Sequence, residues 1–248
     1  MSLPPAGSDV PLVAVIQHSA DCPPGRVGTW LAAAGCRLEV FACHAGEEPP
    51  FSLEGYAGLV VLGGGMSCED DVAYPWLTPV KQLLARAVAE EVPTLAICLG
   101  LQLLAVACGG RVAPSGTGPQ LGVRPVDRTA ASVADPLLTG LDLTGAVHWN
   151  FDLVAELPPG AVVLTTSTGT VQSLRLGQRA WGVQFHPEVD PATLARWADA
   201  DVAAGLLAPE VAAEPLAEVE RRDAELMPAW RNLSEQFAAL LTGSGGLA

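Results

Sequence analysis

Thr94-Leu95-Ala96-Ile97-Cys98-Leu99-Gly100-Leu101-Gln102-Leu103-Leu104-Ala105-Val106-Ala107-Cys108-Gly109 is the stretch whose reading decides how this chain folds. It is apolar almost throughout, yet Gln102 interrupts it and it is at the short end of what a bilayer span requires. A buried strand, Thr94 to Ile97, running straight into a buried helix, Leu99 to Cys108, fits better. Ala96-Ile97-Cys98-Leu99-Gly100 then sits where the strand must stop and the helix must begin. A nucleophile elbow needs this arrangement: small flanking residues let the backbone turn sharply and expose the side chain at the turn. Cys98 would lie at a helix N-terminus, whose partial positive charge favours thiolate over thiol. The competing reading is a buried structural cysteine, since free cysteine is among the most buried residue types.

Working outward, short β-branched runs alternate with helical patterns. Leu12 to Gln17, Leu38 to Ala42 and Leu59 to Leu62 read as strands, and Val27 to Ala34 and Trp76 to Glu90 as helices. Such alternation calls for a parallel sheet covered on both faces. From Gly122 to Phe185 closely spaced strand candidates follow (Gly122 to Val126, Ala146 to Phe151, Ala161 to Ser167, Val171 to Arg175, Ala180 to Phe185), expected to extend the sheet with antiparallel strands. After Glu188 the sequence turns helical and alanine-rich. Pro191 is well placed to start a helix, and Pro209, Pro215 and Pro228 are expected to divide the remaining helical stretch. The simplest partition is one domain over 1–248, with a core at about 10–190, a helical extension at about 191–242, and a disordered tail from Gly243 to Ala248.

Composition removes several functions. Half of the 248 residues are apolar, enough for a substantial core. The 27 acidic against 13 basic residues give a net charge of −14, which repels phosphate backbones and anionic lipid surfaces, so neither nucleic acid nor membrane is an expected partner. The single lysine, Lys81, lies between Val80 and Gln82, so no GK[ST] phosphate loop can be written. The six cysteines form no C-x-x-C pair, which argues for a reducing cytoplasm and against a structural zinc. The N-terminal MSLPPAGSDVPLVAVIQ has no positive charge and does not read as a secretory signal.

Two further segments carry chemistry. In Trp181-Gly182-Val183-Gln184-Phe185-His186-Pro187-Glu188-Val189 an alternating strand ends in His-Pro-Glu. Side chains two apart on extended backbone share a side, so Glu188 is spaced to orient His186 or stabilise its protonated form, as a cysteine nucleophile's base requires. An exposed strand end or a metal pair are the alternatives, and no third ligand stands at a recognisable spacing. Leu62-Gly63-Gly64-Gly65-Met66 comes directly after a strand, and glycines there let backbone N–H groups point into a cleft to hold an oxyanion or carboxylate. It is not a dinucleotide fingerprint, because Cys68 stands at the third glycine position. His18 and His44 have no motif around them and read as surface or loop histidines.

These three segments, in this order and at these separations, resemble the class I glutamine amidotransferases of the Cys-His-Glu type, with closest similarity to standalone proteins akin to the amidotransferase domain of GMP synthase. The resemblance implies an α/β, flavodoxin-like three-layer αβα sandwich with a mixed, mainly parallel sheet and the C-terminal helical extension. It implies Cys98 as nucleophile, His186 as general base and acid, and Glu188 as the third member. It places the oxyanion hole at the backbone N–H of Leu99 and of Gly64, with Gly65 as the alternative and as a substrate contact, and gives Gln102 a part in binding the substrate. Gln102 lies one helical turn after Cys98, on the same face.

Two departures stand out. Ala96 occupies the place where the family's elbow opens with glycine, and His148-Trp149 is followed by Asn150-Phe151-Asp152 rather than by a second histidine. The latter segment reads as a loop expected to flank the site and to bear on the acceptor or the preferred γ-glutamyl substrate.

The implied reaction is hydrolysis of the glutamine side-chain amide through a cysteine thioester, without a cofactor. Ammonia would pass to an acceptor or to a separate synthase subunit, since the chain carries no ATP-binding signature. The alternatives are a γ-glutamyl hydrolase or peptidase using the same triad, and a catalytically silent binding module.

Overall fold

The computed structural model describes residues 10–242. The first part of the chain gives strand β1 (Leu12–Gln17), helix α1 (Gly25–Ala33), strand β2 (Arg37–Ala42), a 3-10 turn at Cys43–Ala45, and strand β3 (Gly58–Val61). Helix α2 (Leu77–Ala89), strand β4 (Thr94–Ile97) and helix α3 (Leu99–Ala107) come after it. Next come β5 (Arg111–Pro114), β6 (Gln120–Arg124), β7 (Asp127–Arg128), the single helical turn α4 (Ala130–Val133), β8 (Ala146–Asn150) and β9 (Asp152–Glu156). The chain closes with β10 (Val162–Ser167), β11 (Thr170–Leu176), β12 (Ala180–Val183), α5 (Pro191–Ala203) and α6 (Pro209–Leu241).

Eight strands form one sheet in the order β2-β1-β3-β4-β12-β11-β10-β7. The pairs from β2 through β12 are parallel, and β12-β11, β11-β10 and β10-β7 are antiparallel. Alternate residues of each central strand feed two separate cores. Val13, Val15, Val60, Leu95, Ile97, Trp181 and Val183 pack with α1, α5 and α6 on one face. Ala14, Ile16, Leu59, Val61 and Ala96 pack with α2 and α3 on the other. Two covered faces explain why β3, β4 and β12 are buried at every position and read as apolar runs. The layers and the mixed sheet are those expected of a flavodoxin-like fold.

The antiparallel half differs from expectation. Only β7 and β10 to β12 extend the main sheet, while β6 pairs with β8 and β5 with β9 in two separate ribbons. The β6-β8 ribbon lies under α6, where Pro215 packs on Gly122, and it meets the main chain through the bond from His186 N–H to the Val147 carbonyl, 2.8 Å. That bond draws the backbone off the sheet, so β12 ends at Val183 rather than Phe185.

The prolines are a second correction. Pro191 opens α5 as expected, with the Asp190 side chain accepting from the Thr193 N–H at 2.7 Å. Pro209 opens α6, but Pro215 and Pro228 lie inside that single 33-residue helix instead of dividing it. An internal proline costs about 3 kcal/mol. The apolar stripe Ala212, Val219, Leu226, Trp230, Leu233 and Phe237, buried against the body of the fold, outweighs that cost. The tail from Gly243 to Ala248 lies outside the described residues. Among the described residues no helix is long and apolar enough to cross a membrane.

Helix α3 approaches β3 so closely that a Cβ on Gly100 would fall 2.3 Å from the Val61 carbonyl oxygen. Gly100→Ala is therefore expected to destabilise the protein by about 1–3 kcal/mol, lowering the thermal midpoint by about 2–4 °C per kcal/mol. An unchanged midpoint in a denaturation scan would show that the helix can retreat without loss.

Candidate active site

The turn from β4 into α3 is as sharp as the sequence demands. Cys98 is the cap residue of α3 with φ 51° and ψ −105°, a conformation that non-glycine residues keep only where the surroundings leave no other. Those surroundings are specific. The Cys98 N–H donates to the Val183 carbonyl at 2.7 Å, and the Cys98 carbonyl accepts the first helical bond from Gln102 N–H at 3.1 Å. The Gly100–Val61 contact then fixes the position of α3. Leu99, the first residue of α3, belongs to the turn whose N–H groups have no helical partner.

His186 and Glu188 lie just beyond β12. His186 Nδ1 and Glu188 Oε1 are 2.7 Å apart, with 3% and 4% of the two side chains exposed. A turn around Pro187, rather than extended strand, brings them together. The Trp197 ring from α5 stands edge-on to the imidazole with centroids 4.8 Å apart. The N-terminus of α1 holds the same segment: Arg26 N–H donates to the Glu188 carbonyl at 2.9 Å, and Gly25, at φ +52°, leaves no room there for a Cβ.

Burial by itself pulls the imidazole's pKa down. The charge of Glu188 and the charge and hydrogen bonding of Cys98 outweigh it and raise it to about 10. Nδ1 is committed to Glu188, and Nε2 is buried with no hydrogen-bond partner of standard geometry among the described residues. A Cβ placed on Gly63 would lie 3.4 Å from His186 Cε1 and 3.7 Å from Cys98 Cβ, so both side chains meet beside the glycine run. Gly64 is packed under Met66, Leu99 and His18, and Gly65 faces open space.

These groups line a cavity of about 170 Å³ that holds Cys98, His186, Gly64, Gly65 and Gln102 together. Trp149, Asn150, Phe151 and Asp152 form one wall, so the departure noted in the sequence does flank the site, though from β8 and the start of β9 rather than from a loop. Helix α5 adds Trp197, Ala200 and Asp201 to the lining. Trp149 Nε1 donates to Asp201 Oδ2 at 2.7 Å, tying β8 to α5, and Trp197 Nε1 donates to the Asp21 carbonyl at 2.8 Å, tying α5 to the segment between β1 and α1. The lining carries Asp21, Asp152 and Asp201, and among the described residues no lysine or arginine. Burial pushes the Asp152 and Asp201 carboxyls up, with Asp70 and Glu69 adding to the first and Asp21 to the second, while the Trp149 bond partly offsets the rise at Asp201.

His18 lies in the loop after β1, one of the two places the sequence allows, but not at the surface. It is buried behind Gly64, with its Nδ1 accepting from Trp76 Nε1 at 3.2 Å, and burial lowers its pKa to about 4. His44 is exposed, as the sequence suggests. Gln184 was not singled out in the sequence, yet it is fully buried with Nε2 3.4 Å from Cys98 Sγ. Its place two residues before His186 was the available signal. Asp201, four residues after Trp197 on one helical face, was signalled in the same way.

A group whose folded pKa is raised binds its proton more tightly in the folded state, so its stabilisation is complete below the unfolded value and is lost through the folded one. For His186 the window runs from the ordinary 6.5 to about 10. Thermal stability is expected to fall across it, and Glu188→Gln to flatten that part of the profile while lowering stability at neutral pH. Parallel wild-type and variant melting curves against pH check this, and identical slopes would remove Glu188 as the cause.

Comparison with known proteins gives the family of the chain. The family model described as "Glutamine amidotransferase class-I" matches residues 29–196. A gamma-glutamyl-L-1-hydroxyisopropylamide hydrolase from Pseudomonas sp. is 30% identical over 173 residues, 62% of this chain and 54% of that protein. A glutamine-hydrolysing GMP synthase from Porphyromonas gingivalis is 31% identical over 147 residues, 56% of this chain and 26% of that protein. The chain thus spans about half or less of the length of these relatives. A crystal structure of a glutamine amidotransferase from Thermotoga maritima superposes with a TM-score of 0.79 at 27% identity, covering 93% of this chain and 99% of that one. The chain belongs to the class I glutamine amidotransferase family.

Proposed function

We propose that this protein hydrolyses the side-chain amide of glutamine, or of a γ-glutamyl compound, through a thioester on Cys98. The observation that carries the reading is the buried His186–Glu188 pair set against Cys98 at its constrained turn. The sulfur adds to the amide carbon, and the oxygen gains negative charge. The backbone N–H groups of Leu99 and Gly64 stabilise that charge, a contribution of about 3 kcal/mol per donor in comparable enzymes. The C–N bond then breaks as the His186 imidazolium protonates the departing nitrogen. Water, deprotonated by the now neutral His186, adds to the thioester, the C–S bond breaks, and glutamate leaves. Glu188 keeps the ring oriented and balances its charge in both half-reactions. Where the ammonia is used rather than released, a separate synthase subunit supplies the acceptor chemistry.

A second reading, in which the leaving group is a substituted amine, is favoured by a cavity that Trp149, Asp201 and Leu206 line in addition to the reacting groups. The Pseudomonas relative, named for a γ-glutamyl amide, supports it. Three aspartates without a lining cation disfavour a leaving group that carries its own carboxylate.

Cys98→Ala is expected to abolish ammonia release from glutamine and covalent labelling by an electrophilic glutamine analogue, while His186→Asn is expected to slow turnover by about 10²–10⁴. Ammonia release unchanged in Cys98→Ala would overturn the assignment. In a substrate panel, a neutral γ-glutamyl alkylamide is expected to be cleaved faster than glutathione, whose leaving peptide is anionic; the reverse order would sink the second reading.

A further inference from the structure

Gln184 stands between the Cys98 sulfur and Gln102, buried, immediately past the end of β12. Its Nε2 lies 3.4 Å from Cys98 Sγ, and its Oε1 lies 3.4 Å from Gln102 Nε2. Gln102 Nε2 is in turn 3.1 Å from the Asp152 carbonyl oxygen. Side-chain amides can be built either way round on shape alone, but here the chemistry sets the direction. A peptide carbonyl only accepts, so the end of Gln102 facing Asp152 is its NH₂ group. The second hydrogen of that group needs an acceptor, so Gln184 turns its oxygen to Gln102 and its N–H to the sulfur. The backbone holds the two residues in this relation, with Gln184 N–H donating to the Gln172 carbonyl at 2.8 Å and Cys98 N–H to the Val183 carbonyl.

We propose that Gln184 is a positioning residue that donates an N–H to Cys98 Sγ and holds the sulfur toward the substrate, and that Gln102 acts through it by fixing the direction of its amide. The proposal rests on the reading of Cys98 as the nucleophile. A donor to sulfur is worth most when the sulfur is anionic, because hydrogen bonds to charged groups are about twice as strong as neutral ones. It also changes what Gln102 offers a substrate: both of its N–H groups are engaged within the protein, so its Oε1 is left to accept from a substrate N–H.

The test is alkylation of Cys98 by iodoacetamide in the intact chain, localised by mass spectrometry and followed between about pH 5 and 10. Gln184→Glu keeps the shape but removes the N–H, and Gln184→Leu removes both polar ends. Both are expected to move the midpoint of the rate-against-pH curve up by about one unit, with alkylation about tenfold slower below the wild-type midpoint. Gln102→Leu is expected to shift it the same way by less, and the Gln102→Leu/Gln184→Leu double variant to match Gln184→Leu alone, since one residue acts through the other.

A wild-type midpoint in Gln184→Glu, or additive shifts in the double variant, would overturn the proposal. If Gln184→Leu does not fold, Gln184→Glu and Gln102→Leu decide between the outcomes. The assay needs no turnover, so the two readings fail separately. Persistent ammonia release by Cys98→Ala removes the nucleophile, whereas an unmoved midpoint with that release abolished removes only the role of Gln184.

Discussion

The hydrogen bond from the Cys98 N–H to the Val183 carbonyl joins the end of β4 to the end of β12, and the arrangement of the site depends on it. Cys98 cannot relax from φ 51° without breaking this bond, and α3 cannot slide to accommodate a different turn because Gly100 is already against the Val61 carbonyl. The same seam carries Gln184, His186 and Glu188 off the end of β12 toward the sulfur. A parallel neighbour is what makes this possible: both strands end on the same side of the sheet, where loops collect ligands and reacting groups.

The electrostatics are of a different kind. A buried ion pair is weak evidence for stability, since the desolvation of both groups offsets much of their attraction. The His186–Glu188 pair is held in place by the apolar layers around it, with Trp197 edge-on to the ring and the α1 N-terminus donating to the Glu188 carbonyl. The aspartates of the pocket wall add to the same negative field that the overall charge of −14 describes at the scale of the chain. That field repels anions at the mouth of the pocket.

How far the sequence could be read depended on whether a signal was local. The elbow was legible because the periodicity changes at Cys98 itself, and the central strands because both covered faces leave nothing but apolar residues. The pairing of His186 with Glu188 was legible from spacing, though the backbone achieves it by a turn around Pro187 instead of an extended strand. Pro215 and Pro228 misled because their local preference yields to the long apolar stripe of α6 against the body of the protein. His18, in the loop after β1, carried no local mark, and Gln184 was marked only by its place two residues before His186, where a polar residue of an alternating run looks solvent-facing until the second layer is known to cover it. The glycine run was legible as a place for backbone donors, but the choice of Gly64 and the part given to Gln102 came from family resemblance, not from pattern.

The position of β12 between β4 and β11 also orders events on the ribosome. When residues through Ile97 have emerged, β4 can pair with β3, but its other edge faces nothing until residues 180–183 are made. During that interval an apolar strand edge is open to wrong partners, and the thiol at its tip is not yet held in its tight turn. The intervening chain can prepare the missing neighbour, because β10, β11 and β12 succeed one another as an antiparallel meander that needs only short turns to close. The seam that runs beneath Cys98 closes only when that meander pairs with β4, and until then the Cys98 N–H lacks its Val183 acceptor.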